Sequence, residues 1–138
     1  MDKIASHLRT MQLYAHACHN VVSGPHFLDY HDYLGELYPV YEGLYDGVIE
    51  RIIGLGNPIN IAKITADAAK AFQAENFALQ APDFMFLTIL KHEKDLCSLI
   101  EKEYKAGSIG TQQFLGDICD KSEMRQYKLK QLLKAAKG

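Results

Sequence analysis

A single helical pattern from Asp29 to Leu55 carries His31 near one end and Asp46 and Glu50 near the other. His19 lies twelve residues before His31, across a Ser23-Gly24-Pro25 break. Imidazole nitrogen and carboxylate oxygen together suit iron or zinc, and Asp46 and Glu50 share a helix face at i,i+4 spacing. A helix that rises ~1.5 Å per residue holds His31 and Asp46 roughly 22 Å apart. One copy of the chain therefore cannot close these ligands around one metal ion. If they act together, they act across an interface between two copies.

The remaining pattern is helical throughout. The first helix is predicted from about Asp2 to Val22, with Ile4, Leu8, Met11 and Ala15 on one face, and the Ser-Gly-Pro break ends it. The second runs from about Phe27 to Leu55 and stops on Gly54-Leu55-Gly56-Asn57-Pro58. A short helix is expected within Ile59 to Ala78, capped by Asn60 or Thr65. The third long helix starts near Pro82-Asp83, carries Phe86, Ile89, Leu90, Leu96, Leu99 and Ile100, and stops at Lys105-Ala106-Gly107. The fourth starts near Thr111, carries Phe114, Leu115, Ile118, Met124, Leu129, Leu132 and Leu133, and runs towards Gly138. No segment reads as a strand, and no repeat or second domain is visible. The expectation is one all-α domain over residues 1–138, a four-helix bundle of the ferritin-like kind with a short extra helix between helices two and three.

Composition narrows the function classes. At 138 residues, 48% apolar and 23% charged, the chain is long enough for one soluble domain with its own core. A net charge of −2 gives no general argument for nucleic acid or membrane binding. Cys18, Cys97 and Cys119 are an odd, widely spaced set without a CxxC pair, which predicts reduced thiols rather than a disulfide framework or zinc knuckle. The opening Met-Asp-Lys-Ile lacks the apolar stretch of a secretion signal, so a cytoplasmic location is expected. Thr10 to Leu28 is uncharged and of spanning length, but its three histidines, Gln12, Asn20 and Gly24-Pro25 do not suit a membrane span.

Ferritin-like di-iron proteins usually bind metal inside the bundle through Glu-x-x-His motifs. No Glu of this chain has His three residues later, and helices three and four hold only His92. The candidate ligands therefore concentrate on the end of helix one and on helix two. His19, Gly24, Phe27, His31, Asp46, Glu50, Arg51 and the closing Ile52-Ile53-Gly54-Leu55-Gly56 resemble the Dps proteins (DNA-binding proteins from starved cells), the small dodecameric ferritins. The likeness is strongest from His19 to Gly56, with support from the short helix and the two trailing helices.

That resemblance implies a ferroxidase site at a two-fold subunit interface. His19 and His31 would come from one subunit, Asp46 and Glu50 from its partner. The metal would be Fe²⁺/Fe³⁺, as one or two irons, with zinc as a possible surrogate. It also implies oxidation by peroxide, more slowly by oxygen, storage of ferric mineral in a dodecameric shell, and protection against oxidative damage. A two-fold contact makes two such sites.

The chain departs from the family pattern at several positions. The family's acidic ligand four residues after the second histidine is Gly35 here, while Glu36 and Asp32 are nearby but off that face, Glu36 by ~100°. Pro39 stands mid-helix, where its ring opposes the Gly35 carbonyl, so a kink is expected and Gly35 reads as its accommodation. The alternative is a Dps-like shell or interaction protein with ferroxidase activity impaired by Gly35. The family's tryptophan after the first histidine is Asn20, and the chain has no Trp.

Tyr30, Tyr33, Tyr38, Tyr41 and Tyr45 crowd helix two as packing residues. Tyr45, beside Asp46, is also a candidate to quench oxidising equivalents. The resemblance also implies a pore-lining acid near the start of the last helix, whose place Gln113 takes; Asp117 and Asp120, one or two turns on, could supply its negative field, but an exposed helix face is the favoured reading. His26 reads as a loop residue and Cys18 as packing, and His7, His16 and His92 carry no functional claim. DNA remains a possible partner through Lys121, Arg125, Lys128, Lys130, Lys134 and Lys137, opposed by Glu123, but a solvated helix face is the favoured reading.

Overall fold

The computed structural model describes residues 1–76, 79 and 81–137, with side chains through residue 134. Ala78, the expected end of the short helix, and Gly138 lie outside the described residues, as does the side chain of Lys137. The chain is all-α: α1 (Asp2–Val21), α2 (Phe27–Gly54), α3 (Ile61–Glu75), α4 (Pro82–Glu103) and α5 (Ile109–Lys137), with a 3-10 turn at Tyr104–Ala106. Two long helices, a short one and two more long ones are the element order expected of a ferritin-like chain. Among the described residues, no helix is long and apolar enough to cross a membrane. Its contacts divide the chain into two compact units, Met1–Met85 and Phe86–Gly138.

In the first unit, α1 and α2 form an antiparallel hairpin. Ile4, Leu8, Met11, Ala15 and Cys18 recur every three or four residues along α1 and are buried. Leu34, Leu37, Tyr41, Tyr45, Val48 and Ile52 do the same along α2. Each large member contributes ~1.5–3 kcal/mol by leaving water. Burial pushes the Cys18 thiol up to about 12, so it is an inert packing group, as its position predicts.

Polar contacts keep the hairpin in register. Arg9 donates to Gln12 Oε1 at 2.8 Å, and Gln12 donates to Glu42 Oε2 at 3.2 Å. The α3 helix follows α1 in parallel, with Ser6 donating to the Ile64 carbonyl and Thr10 to the Ala68 carbonyl, each at 3.4 Å. Of the two expected caps for α3, Asn60 is the one used: its Oδ1 accepts from the Lys63 amide at 3.0 Å.

Helix ends follow local chemistry. Gly56, at φ +79°, ends α2 in a Schellman motif, with Gly56 N–H on the Ile53 carbonyl and Asn57 N–H on the Ile52 carbonyl. The start of α5 differs from the expected Thr111. Ser108 Oγ accepts from the Thr111 amide at 3.2 Å and so caps a helix that begins at Ile109.

In the second unit, α5 returns antiparallel to α4. Phe86, Ile89, Leu96 and Ile100 are buried, as are Leu115, Ile118, Leu129 and Leu133. Among these apolar groups sits Glu93, at 0% exposure. Its carboxylate accepts from Arg125 at 2.6 and 3.1 Å and from Ser122 Oγ at 2.9 Å. A buried carboxylate is tolerated only when its charge is answered this completely.

Arg125→Met is expected to cost ~3–5 kcal/mol, because it strands the Glu93 charge. The double variant Glu93→Leu/Arg125→Met should recover most of that loss. Urea unfolding of both variants checks this, and equal stability of the two would contradict it.

Candidate functional site

The end of α1 and the start of α2 bring His19 and His31 together. His19 Nδ1 lies 2.9 Å from the His31 carbonyl, and His31 Nδ1 lies 3.0 Å from the His19 carbonyl. A carbonyl oxygen can only accept, so each Nδ1 carries the proton and donates it. In the neutral imidazole, each Nε2 is then left with a free lone pair. This is the tautomer of a metal-ligating histidine whose other nitrogen is held by the protein.

The bonds also serve the fold. The His19 carbonyl lies in the last turn of α1, beyond the final Val22-to-Cys18 backbone bond, where a helix leaves its carbonyls without intrahelical partners. His31 satisfies it. Each such bond is worth ~0.5–1.5 kcal/mol net, and together they join the two helices at their shared end.

The two rings stack with centroids 3.9 Å apart and planes 21° from parallel. Phe27 extends the stack beyond His31 at 4.8 Å. On the other side His19 meets Tyr38 at 5.4 Å, and Tyr38 stacks on His16 at 4.0 Å. The column follows from spacing. Phe27, His31 and Tyr38 fall on one ridge of α2, and His16 and His19 are neighbours at i,i+3 on α1.

Gly35 occupies the same ridge and is the gap in it. A Cβ at this position would sit 3.0 Å from His19 Cε1 and 3.2 Å from His19 Nδ1. The His19 ring therefore fills the space that any side chain at residue 35 would need. Accommodation of Pro39 is thus not the whole reason for this glycine. Pro39 does lie inside α2, and the helix continues through it from Phe27 to Gly54.

Asp46 and Glu50 lie farther along α2 and are exposed, on a strip that also holds Glu36, Val40, Gly43 and Ile53. Because α2 is continuous, the fifteen residues from His31 to Asp46 correspond to ~22 Å of helix rise. The histidines and these carboxylates are therefore not brought together within one chain. Among the described residues, no group of three or more His, Cys, Asp or Glu side chains is arranged to hold a metal ion. Glu36 and Asp32 are exposed on α2 as well.

Other candidates shift their meaning. Tyr45 is buried, with the Arg9 guanidinium 3.8 Å above its ring. A cation over the ring opposes loss of an electron from it. Tyr38 is instead the tyrosine in ring contact with His19. His16, given no role by the sequence reading, supports that tyrosine, and the His16/His19 and Phe27/His31/Tyr38 spacings are the signal that could have shown it. His26 lies at the start of α2, against Tyr30.

Of the basic residues on α5, Arg125 is committed to Glu93 and is only 13% exposed, and Lys121 pairs with Asp117 at 3.1 Å. Arg125 is thus unavailable to a phosphate.

A family model described as a ferritin-like domain matches residues 2–138, and the chain belongs to that family. No curated protein matches the chain closely enough to add a relative. Ferritin-like proteins typically bind iron, often oxidise it, and usually form homo-oligomers.

Alanine normally gains ~0.5–1 kcal/mol over glycine inside a helix. Gly35→Ala is expected to miss that gain, because His19 cannot retreat without losing its bond to the His31 carbonyl. If His19 and His31 ligate a metal ion, as proposed below, the variant's affinity for Zn²⁺ or Fe²⁺ should also fall ~10–100-fold. Calorimetric titration with Zn²⁺ and a thermal melt check this. Unchanged affinity together with a raised Tm would contradict it.

Proposed function

We propose, with ferritin-like membership as the premise, that this chain is a Dps-type mini-ferritin of one domain, residues 1–138. In this reading it oxidises Fe²⁺ at a site shared by two copies and retains the ferric product. His19 and His31 of one copy would ligate through Nε2, and Asp46 and Glu50 of the other would supply carboxylate oxygen. The observation that carries the reading is the reciprocal Nδ1 bonding of the two histidines. It leaves two nitrogen lone pairs on rigidly held rings, which is what a first-row metal ion requires.

The carboxylate side is supported by the character of α2. Asp46 and Glu50 are exposed, and the apolar Val40 and Ile53 beside them are 41% and 52% exposed. An antiparallel second copy of α2 would cover that strip. It would also bring residue 31 opposite residues 46 to 50, giving two equivalent sites.

Oxidation takes one electron from each of two Fe²⁺ ions and delivers both to one peroxide, whose O–O bond breaks. The carboxylates favour the more highly charged ferric product. Consuming Fe²⁺ and peroxide together limits hydroxyl-radical formation. A dodecameric shell and a cytoplasmic location complete the reading, the latter supported by three free cysteines.

A second reading, a shell with weak ferroxidase activity, rests on Gly35, where the ring of His19 takes the place of a fifth protein ligand. DNA binding is not favoured, because Arg125 and Lys121 already have acidic partners.

Anaerobic Fe²⁺ titration followed by peroxide tests the proposal. Saturable binding and rapid ferric absorbance are expected, with His31→Ala and Glu50→Ala each lowering the rate by ~100-fold or more. Binding without oxidation would favour the weak-shell reading. Absence of binding would contradict both.

A further inference from the structure

The α4–α5 hairpin brings together two cysteines that sequence separation keeps apart. One helical turn beyond the Glu93–Ser122 contact, the facing positions are Cys97 and Cys119, twenty-two residues apart in the chain. Both are free and half-buried, and the Cys97 sulfur is near enough to help hold the Cys119 thiol in its protonated form. The amide of Gln126 donates to Cys97 Sγ at 3.7 Å and to Ser122 Oγ at 3.1 Å. Ser122 is held in turn by the buried Glu93. The Glu93–Ser122–Gln126 chain thus fixes an N–H donor against Cys97 Sγ.

We propose that Cys97 and Cys119 are a peroxide-reactive dithiol, in which Cys97 attacks hydrogen peroxide and Cys119 closes a reversible disulfide between α4 and α5. In the first step, Cys97 thiolate attacks a peroxide oxygen. An S–O bond forms, the O–O bond breaks, and the departing hydroxide takes a proton to become water. Cys97 is then a sulfenic acid, oxidised by two electrons, and the peroxide has been reduced.

In the second step, the Cys119 sulfur attacks the Cys97 sulfur. The S–S bond forms, the S–O bond breaks, and hydroxide leaves as water with the proton of the Cys119 thiol. Overall, two thiols and one peroxide give one disulfide and two waters. Closing the disulfide brings the two facing sulfurs to about 2.0 Å.

The division of roles follows from the surroundings. Burial, the neighbouring Cys97 sulfur, and then Glu101 and Glu123 push the Cys119 thiol up to about 12. Cys119 therefore stays protonated near neutral pH and waits for the sulfenic acid, while Cys97 has the amide donor. Cys18, buried in the first unit, takes no part. The reaction needs no iron and does not depend on the proposed site at His19 and His31.

The test uses the whole protein, held with a chelator and exposed to a small excess of hydrogen peroxide. Thiol titration and non-reducing peptide mapping are the readouts. Two thiols should disappear together, one peptide should link Cys97 to Cys119, and dithiothreitol should reverse both changes. Cys119→Ser should leave a Cys97 sulfenic acid that dimedone traps. Cys97→Ser should slow loss of the Cys119 thiol by ~10-fold or more. All three thiols surviving the peroxide, a disulfide joining two chains, or equal loss in the two variants would overturn the proposal. Because no iron is present, these outcomes are independent of any failure of the ferroxidase reading.

Discussion

Two hydrogen bonds between His19 and His31 hold together what matters most in the first half of this chain. Each imidazole donates through Nδ1 to the other residue's carbonyl, at 2.9 and 3.0 Å. The same bonds end α1 by satisfying a carbonyl at its terminus, set the register of α1 against α2, and leave Nε2 of each ring with a lone pair. Structure and chemistry are thus inseparable here. A substitution that loosens either ring removes a helix-to-helix tie and a fixed nitrogen lone pair together. Gly35 makes the arrangement possible, since a Cβ there would stand 3.0 Å from the His19 ring.

Much of this was legible from residue spacing. The five helices follow from apolar periodicity and from the breaks at Ser23-Gly24-Pro25 and Gly54-Leu55-Gly56, because such signals are local. The stretched ligand set was also legible, since helix rise is a constant. The reason for Gly35 was not. Residue 35 reads as a partner of Pro39, four positions away, because spacing reports contacts along a helix and not those across to another. The ring that fills the gap comes from α1, sixteen residues earlier. α5 begins two residues before the expected Thr111 because Ser108, whose Oγ accepts from the Thr111 amide, serves as the cap.

The second half of the chain shows the same limit. Glu93 and Arg125 look like ordinary charges on two amphipathic helices, yet the structure makes them a buried pair with Ser122 in support. That pairing withdraws Arg125 from the basic series that suggested DNA. Cys97 and Cys119 have no motif spacing, so reduced thiols without a framework was the natural reading. Only the antiparallel return of α5 makes them neighbours. Their contact gives the hairpin a two-electron chemistry separate from anything at His19 and His31.

The central claim is that histidines from one copy work with carboxylates from another. Mixing two inactive variants tests it directly. His31→Ala and Glu50→Ala chains are unfolded together, refolded together, and assayed for ferric absorbance after Fe²⁺ and peroxide. In a mixed pair, one site collects both defects and the other is native in every ligand, so random pairing should restore about a quarter of wild-type activity. Recovery to that level, absent when either variant is refolded alone, is the predicted result. No recovery from a mixture that demonstrably forms mixed assemblies would contradict the shared site.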